Sequence, residues 1–217
     1  MNTTSRMSYP NSSLAWLLLA ALLPLLSGCF GAAALGLGAG ALIATDRRPS
    51  ETYVTDEGIE LRAANRLREK LGDKVSVHVT SYNRNVLLTG SVPNAAAKAE
   101  AEKLTSSVPN VKAISNELQI AAAASYTEDA YITTKVKTRF VDSNQFAPNH
   151  VKVITEGGVV YLLGLVTRRE ADAAVEVTRT TAGVRKVVRV FEYIGDEQAR
   201  QIDSQPPAGK AAPAAAQ

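Results

Sequence analysis

The sequence predicts an α+β protein made of two tandem copies of one small unit. Each unit is ordered helix-strand-strand-helix-strand, with two helices packed on a small mixed sheet. Two observations carry this prediction. A short apolar run that contains a glycine occurs twice, at residues 85–92 and 159–166, which is an offset of 74 residues (159 − 85). Segments with helical periodicity and segments with strand alternation surround both runs in the same order. Such self-similarity is typical of a duplicated structural unit.

Each unit is predicted to open with an amphipathic helix. In both copies three apolar side chains recur at every fourth residue, and this spacing places them on one helical face. They are Ile59, Ala63 and Leu67 in the first copy, and Ile132, Val136 and Phe140 in the second.

Two strands are predicted to follow each helix. Residues 75–79 and 149–153 alternate between apolar and polar side chains, which is typical of a half-buried strand. Turn-forming residues then separate them from the glycine-containing runs, at Tyr82-Asn83-Arg84-Asn85 in the first copy and at Glu156-Gly157-Gly158 in the second. Adjacent glycines suit a tight hairpin. The second and third elements of each unit are therefore expected to pair as a hairpin.

A second helix and a last strand complete each unit. Gly90 and Gly164 are interpreted as structural residues that permit a backbone turn where the chain leaves the strand. The alanine-rich helices are predicted at 94–107 and 168–182, and the closing strands at 111–114 and 184–187.

The N-terminal region has the features of a bacterial lipoprotein signal. Arg6 supplies positive charge, residues 14–26 are apolar, and Cys29, the only cysteine, follows Ser27 and Gly28. The apolar core of about a dozen residues falls short of the roughly 20 needed to span a bilayer. We expect residues 1–28 to be removed and Cys29 to be acylated. An uncleaved anchor with an incidental cysteine is the alternative.

Composition divides the rest of the chain. Residues 29–54 are rich in glycine and alanine and are interpreted as a lipidated spacer, because no strand precedes these glycines as a nucleotide-binding loop requires. The two units are placed at 55–122 and 127–195, and a disordered Pro/Ala-rich tail at 196–217. The 24 Lys and Arg against 21 Asp and Glu are too balanced to suggest nucleic-acid binding.

The repeated motifs carry a family resemblance. The runs VLLTGSV and VYLLGLV, followed by VPNVKAISNEL and TAGVRKVVRVF, resemble the BON domain. The whole arrangement, from Cys29 to about Tyr193, resembles the dual-BON outer-membrane lipoproteins of the DolP type. Phe30 follows the cysteine in place of the Asp that marks inner-membrane retention in such lipoproteins. The resemblance therefore implies an anchor in the inner leaflet of the outer membrane, with the domains facing the periplasm.

The resemblance also implies a function. It indicates a non-enzymatic protein that binds anionic phospholipid, such as phosphatidylglycerol or cardiolipin, through its second BON unit. Such a protein supports outer-membrane integrity and gathers at division sites. A periplasmic adaptor that docks an envelope assembly machine or protease is the alternative from another class.

The first helix of the second unit has a face that suits a bilayer interface. An aromatic ring and an apolar side chain stand beside hydroxyls and lysines, so the ring could lie at headgroup depth while the cations meet lipid phosphates. The predicted phospholipid-binding residues are Tyr131, Thr134, Lys135, Thr138 and Val141, with Lys137 at the edge. Packing of Tyr131 against the first unit, and ordinary solvation of the two lysines, are the alternatives.

The corresponding helix of the first unit has no such character. Its surface is predicted to be a solvated face of mixed charge, formed by Glu57, Glu60, Arg62, Arg66 and Glu69. This asymmetry is the reason for placing lipid binding in the second unit.

No catalytic constellation or cofactor motif is visible in the sequence. His78 and His150 are predicted to lie on strands, and surface histidines are favoured over a metal pair because neither has a neighbouring His or Cys at ligand spacing. If the only cysteine is acylated, no thiol remains for nucleophilic catalysis. We therefore expect a protein that is not an enzyme and that holds neither a metal nor a cofactor. Tyr161 and Tyr193 are interpreted as packing residues.

Overall fold

The computed structural model describes residues 46–72, 75–121 and 128–204. The first unit comprises α1 (Ser50–Leu71), β1 (Ser76–Tyr82), β2 (Asn85–Val92), α2 (Ala95–Ser106), β3 (Ala113–Asn116) and β4 (Gln119–Ile120). The second comprises α3 (Asp129–Ser143), a 3₁₀ turn (Pro148–His150), β5 (Lys152–Glu156), β6 (Val159–Val166), α4 (Arg168–Arg179) and β7 (Lys186–Tyr193), and is followed by α5 (Asp196–Asp203). The predicted signal peptide and Cys29 lie outside the described residues.

The α+β class and the tandem arrangement are confirmed. In each unit an antiparallel hairpin, β1–β2 or β5–β6, is extended by a parallel strand on the other side of its second strand. The parallel strand is reached through a helix, as parallel pairing requires. The hairpin turns follow the predicted chemistry, since Asn83 and Arg84 in one copy and Gly157 and Gly158 in the other all have positive φ.

Each sheet has one face covered by two helices. On β6, Val160, Leu162 and Val166 point into a core shared with α3 and α4. On β2 the equivalent positions 86, 88 and 92 point into a core shared with α1 and α2. The six helical residues predicted to face inward, three on α1 and three on α3, are all buried. The sequence period thus sets which side of each first helix packs on its sheet.

The opposite faces of the two sheets pack on each other. Alternation along the strands places a second set of apolar side chains on this side, where they form a third core that includes residues of α5 and the chain leading into it. Its buried members are Tyr82, Leu87, Tyr161, Leu163, Leu165, Ile194 and Ala199. The two units therefore share a hydrophobic interface made from the helix-free faces of both sheets.

The glycines of the two runs have a different structural role from the predicted one. Gly90 and Gly164 lie within β2 and β6 rather than where the chain leaves the strand. A Cβ on Gly90 would lie 1.9 Å from the carbonyl oxygen of Ser76, and one on Gly164 would lie 2.3 Å from that of His150. Close approach of the neighbouring backbone explains both glycines. Gly90 also has φ +107.

Both ends of the described chain depart from the sequence assignments. Residues 196–217 were assigned to a disordered tail, but Asp196–Asp203 form α5, because Ala199 and Ile202 find apolar surface on the third core. The spacer was placed at 29–54, but α1 already begins at Ser50 and Arg47 is buried. Ion pairs formed by Arg47 and Arg48, which composition cannot reveal, order this stretch.

The two histidines are not an equivalent pair. His78 lies on β1 with an exposed side chain, and its Nδ1 is 3.1 Å from a carboxylate oxygen of Glu156. His150 ends the 3₁₀ turn and is buried, so its interpretation as a strand-surface histidine is wrong. The cause is Pro148, which starts the turn and delays β5 to Lys152. Tyr161 is buried, as expected of a packing residue, and Tyr193 is partly exposed.

Candidate functional site

The outward face of α3 presents large apolar side chains to solvent. Tyr131 is 66% exposed and Val141 is 63% exposed, whereas Ile132, Val136 and Phe140 on the other side of the helix are buried. Tyr131 therefore does not pack into a core of the first unit. Exposed side chains of this size on one helix are a feature that a membrane or a protein partner can use.

The six predicted residues surround one line along the helix. At about 100° per residue, Tyr131, Thr134, Thr138 and Val141 lie within about 40° of the line opposite the buried face. Lys135 and Lys137 lie about 80° to either side of that line. The structure thus brings these residues together on one surface, with an aromatic and aliphatic centre and one lysine on each flank.

Lys135 is held by contacts within the protein. Its Nζ lies 4.4 Å from the centroid of the Tyr131 ring and donates a hydrogen bond to the carbonyl oxygen of Ala182. A cation over the face of an aromatic ring is attracted by the ring's electron density. Lys135 therefore steadies the Tyr131 ring and keeps its charge beside that ring, with ammonium protons left for another acceptor.

The remaining polar members of this surface are less constrained. Thr134 donates its hydroxyl hydrogen bond to the carbonyl oxygen of Ala130, so it adds a methyl group rather than a free donor to the surface. Lys137 and Thr138 are exposed and form no side-chain hydrogen bond or ion pair with other residues of the described ranges. Their polar groups are available to an outside ligand.

Two residues that the sequence reasoning missed fix the position of α3. Asp129, at the start of the helix, accepts hydrogen bonds from the backbone N–H groups of Gly157 and Gly158 at 2.6 and 2.8 Å. Arg139 donates to the carbonyl oxygen of Val177 and to Thr181 near the end of α4. The contact of Asp129 could have been predicted, because an Asp at the start of a helix can accept hydrogen bonds from the N–H groups of a nearby glycine turn. The contacts of Arg139 join residues about 40 positions apart, so no local sequence pattern predicts them.

The charge on the α3 surface is modest. Asp142 is exposed and lies on the same side as Tyr131, and Glu128 is exposed at the start of the helix. These two carboxylates offset the two lysines in any interaction with an anionic surface. The exposed apolar side chains are therefore the more distinctive part of this surface.

Superposing the repeat in sequence shows why α1 lacks this surface. The buried positions 59 and 132 correspond, so Gly58 stands where α3 has Tyr131, and Arg68 where it has Val141.

One prediction about α1 is wrong, since Glu60 is not simply solvated. Its carboxylate accepts a hydrogen bond from the backbone N–H of Ser81 and lies 3.4 Å from Nζ of Lys152 in the second unit. Long-range contacts of this kind are not visible in a helical pattern.

α1 has exposed apolar residues of its own at other positions. Val54 is 69% exposed and Leu61 is 65% exposed. They lie seven residues apart on one side of the helix and flank Gly58. Because Leu61 matches Tyr131 in exposure, it is a useful internal comparison for the α3 surface.

Within residues 46–72, 75–121 and 128–204, no group of three or more His, Cys, Asp or Glu side chains could hold a metal ion. None of the helices in those same ranges is long and apolar enough to cross a bilayer.

The family follows from the match of both repeats to one domain model. The BON domain model matches residues 55–122 and again residues 128–195. The chain belongs to the BON-domain family. Apart from residues 50–54 at the start of α1, the two matched ranges cover the two helix-strand-strand-helix-strand units described above, so each BON domain includes one sheet and the helices that cover it.

Similarity to individual proteins shows which type of BON-domain protein the chain is. The chain is 36% identical over 174 residues to the outer membrane lipoprotein DolP of Haemophilus influenzae, covering 78% of this chain and 90% of that protein. It is 35% identical over 154 residues to a 21 kDa hemolysin of Actinobacillus pleuropneumoniae, covering 69% and 79%. It is 29% identical over 117 residues to osmotically-inducible protein Y of Escherichia coli, covering 51% and 58%. The chain is therefore a BON-domain lipoprotein of the DolP type.

Proposed function

We propose that this protein is anchored in the outer membrane by lipid on Cys29 and binds anionic phospholipid through the α3 surface of its second BON domain. It faces the periplasm, supports outer-membrane integrity and acts at division sites. The relationship to DolP supports association with the outer membrane. The observation that carries the lipid-binding part is the 66% exposure of Tyr131 on a surface flanked by two lysines.

The mechanism is interfacial insertion without bond chemistry. The Tyr131 ring and the Val141 side chain enter the boundary between headgroups and acyl chains, where an amphipathic aromatic ring is stable. Each lysine close to an anionic surface contributes about 1 kcal/mol, and this contribution falls with ionic strength. Phosphatidylglycerol and cardiolipin provide the required negative charge. The hydrogen bond from Lys135 to Ala182 keeps the inserted ring in place.

The lipid on Cys29 and the α3 surface act together. Asp46 lies 17 positions after Cys29 along the chain (46 − 29), so the start of the folded part stays within at most about 60 Å of the anchor. Tethering at this range raises the local concentration of headgroups seen by α3. A surface of modest affinity can then select the lipid beneath it.

A vesicle panel tests this function. The mature chain with Ala in place of Cys29 is mixed with vesicles of phosphatidylcholine, of phosphatidylglycerol, or of cardiolipin in phosphatidylcholine, and is then sedimented. We expect co-sedimentation with the anionic vesicles and little with phosphatidylcholine alone. Equal recovery from all vesicles, or from none, would contradict binding of anionic phospholipid.

A second function, docking of an envelope protein, is favoured by one specific observation. Val54 and Leu61 on α1 are as exposed as the side chains on α3, and they lie in the other BON domain. An adaptor would be indifferent to vesicle composition. Failure of the vesicle panel, together with cross-linking from α1 to an envelope protein, would therefore favour this function over lipid binding.

A further inference from the structure

Two adjacent arginines before α1 contact different parts of the molecule. Arg47 reaches the second BON domain and α5, whereas Arg48 reaches the first BON domain. Both guanidinium groups are almost fully buried, with side-chain exposures of 3% and 6%. Buried arginines in a stretch that composition marks as a spacer call for an explanation.

Arg47 is paired with two carboxylates at once. Its Nη1 and Nη2 donate to Glu170 Oε2 and Oε1 at 2.7 and 2.9 Å, while its Nε and Nη2 donate to Asp203 at 2.8 Å each. A further bond runs from Nη1 to the carbonyl oxygen of Leu165. Forked pairing of this kind needs the planar guanidinium and fixes its orientation. Arg47 thus connects β6 and α4 with the end of α5.

Arg48 makes the equivalent connections in the first BON domain. Its Nη1 donates to Asp56 at 2.8 Å, and its guanidinium carbon lies 4.1 Å from the centroid of the Tyr82 ring. Asp56 also accepts hydrogen bonds from the backbone N–H groups of Asn83 and Arg84, so it joins α1 to the β1–β2 turn. Arg48 is therefore fixed to the part of this domain in which Asp56 joins α1 to the β1–β2 turn.

We propose that Arg47 and Arg48 form a staple that fixes the two BON domains relative to each other and to α5. The third core holds the domains together by apolar contact, which is not directional. The other ion pairs that join the domains within the described ranges, His78–Glu156, Lys112–Glu192 and Lys152–Glu60, have more exposed side chains than Arg47 and Arg48. The staple supplies direction, because neighbouring residues of one backbone each hold a different domain through charged, geometrically restricted bonds. The staple thereby orients the second BON domain, with its α3 surface, relative to the first.

Loss of Arg47 is expected to destabilise the folded protein as well as to loosen the contact between its domains. Glu170 has a side-chain exposure of only 8%, and without Arg47 its carboxylate would keep the hydrogen bond from the backbone N–H of Thr167 and the neighbouring His150, whose Nδ1 lies 3.5 Å from Oε1, but would lose both forked bonds. An uncompensated buried charge is relieved by hydration or by movement of the elements around it. Arg47 connects Glu170 with β6 and with α5. We therefore expect this movement to separate the second BON domain from α5 and from the residues that precede α1.

Distance measurement between the domains tests the staple. Spin labels are attached at Glu69→Cys on α1 and Asp142→Cys on α3, both exposed, in the mature chain with Cys29→Ala and without any lipid. We expect one narrow distance distribution. Arg47→Ala should broaden it and add populations at new distances, whereas Arg179→Ala, which removes an exposed pair with Glu176, should leave it unchanged.

A second variant decides the outcome if Arg47→Ala does not fold. Arg47→Lys keeps the charge but cannot make two forked pairs, and we expect it to give an intermediate width. An unchanged distribution in Arg47→Lys and in any folded Arg47→Ala protein would overturn the staple. A broad distribution in the unsubstituted chain would overturn it too. Because no lipid is present, these results are independent of whether α3 binds phospholipid.

Discussion

Gly90 shows how a single residue can be essential without touching a ligand. It combines a positive φ with a backbone contact that leaves no room for a side chain. The sequence indicates a structural role for this glycine, as a residue that permits a backbone turn. It did not reveal the reason, since close approach of β1 is a property of the paired strands and not of the run itself.

Gly90→Ala is expected to destabilise the protein by about 2 kcal/mol or more, because both the backbone conformation and the Ser76 carbonyl oppose a Cβ. The measurement is the free energy of unfolding in urea. Gly195→Ala is the matched control, since Gly195 has φ −73 and a Cβ there would meet nothing within 4 Å. Equal stabilities of the two variants would contradict this account of the strand.

At the scale of elements, the local patterns were sufficient where packing on one face decides the structure. The spacing of Ile132, Val136 and Phe140 predicted the inward face of α3, and the outward position of Tyr131 followed from it. Such local patterns cannot predict an element whose position depends on side chains far away in the sequence. α5 depends on Arg47, which lies 156 residues away from Asp203 along the chain, so residues 196–203 were assigned to the tail.

The start of α2 provides a test of an element that the sequence placed correctly. Asn94 precedes the helix, and its side-chain oxygen accepts a hydrogen bond from the backbone N–H of Ala97 at 2.8 Å. Asn94→Ala should lower the free energy of unfolding by about 1 kcal/mol, because a helix-terminal N–H loses its partner. Asn94→Asp keeps an acceptor oxygen and should stay close to the unsubstituted protein. A loss of the same size in both variants would show that the cap is not the cause.

At the scale of the whole molecule, the buried ion pairs make stability depend on pH. Burial by itself raises the pKa of Glu170, but the nearby His150 and the hydrogen bonds from Arg47 and Thr167 outweigh it and hold that pKa well below its usual range. Hydrogen bonds from Arg47 likewise lower the pKa of Asp203. In the unfolded chain both carboxylates regain ordinary pKa values near 4.

Acid should therefore weaken the folded state. As the pH falls through about 4, the unfolded chain takes up protons that the folded protein does not, so the stabilisation present at neutral pH is progressively lost. Urea unfolding between pH 7 and pH 3 should show this loss, with a shallower pH dependence in Glu170→Gln. Glu176→Gln removes an exposed carboxylate and should leave the slope unchanged. A Glu170→Gln slope as steep as that of the unsubstituted protein would count against the buried pairs as its source.

The molecule joins the predicted covalent anchor at one end to a surface on the second BON domain. In the proposed function, lipid on Cys29 holds the protein at the membrane and the α3 surface selects the lipid beneath it. In that proposal the Tyr131 ring supplies the apolar contact, while Lys135 and Lys137 supply a preference for anionic headgroups that Glu128 and Asp142 reduce. Substitution of that ring is therefore the central test.

The most direct measurement compares two single substitutions on the same anionic vesicles. Tyr131→Glu places a carboxylate at the centre of the α3 surface, while Leu61→Glu makes the same kind of change at an equally exposed position on α1. Both are made in the mature chain with Ala in place of Cys29, and both should unfold like the parent because neither side chain is buried. We predict that Tyr131→Glu abolishes co-sedimentation with phosphatidylglycerol vesicles and that Leu61→Glu retains it. Normal binding by Tyr131→Glu, or equal loss in both variants, would contradict lipid recognition by the second BON domain.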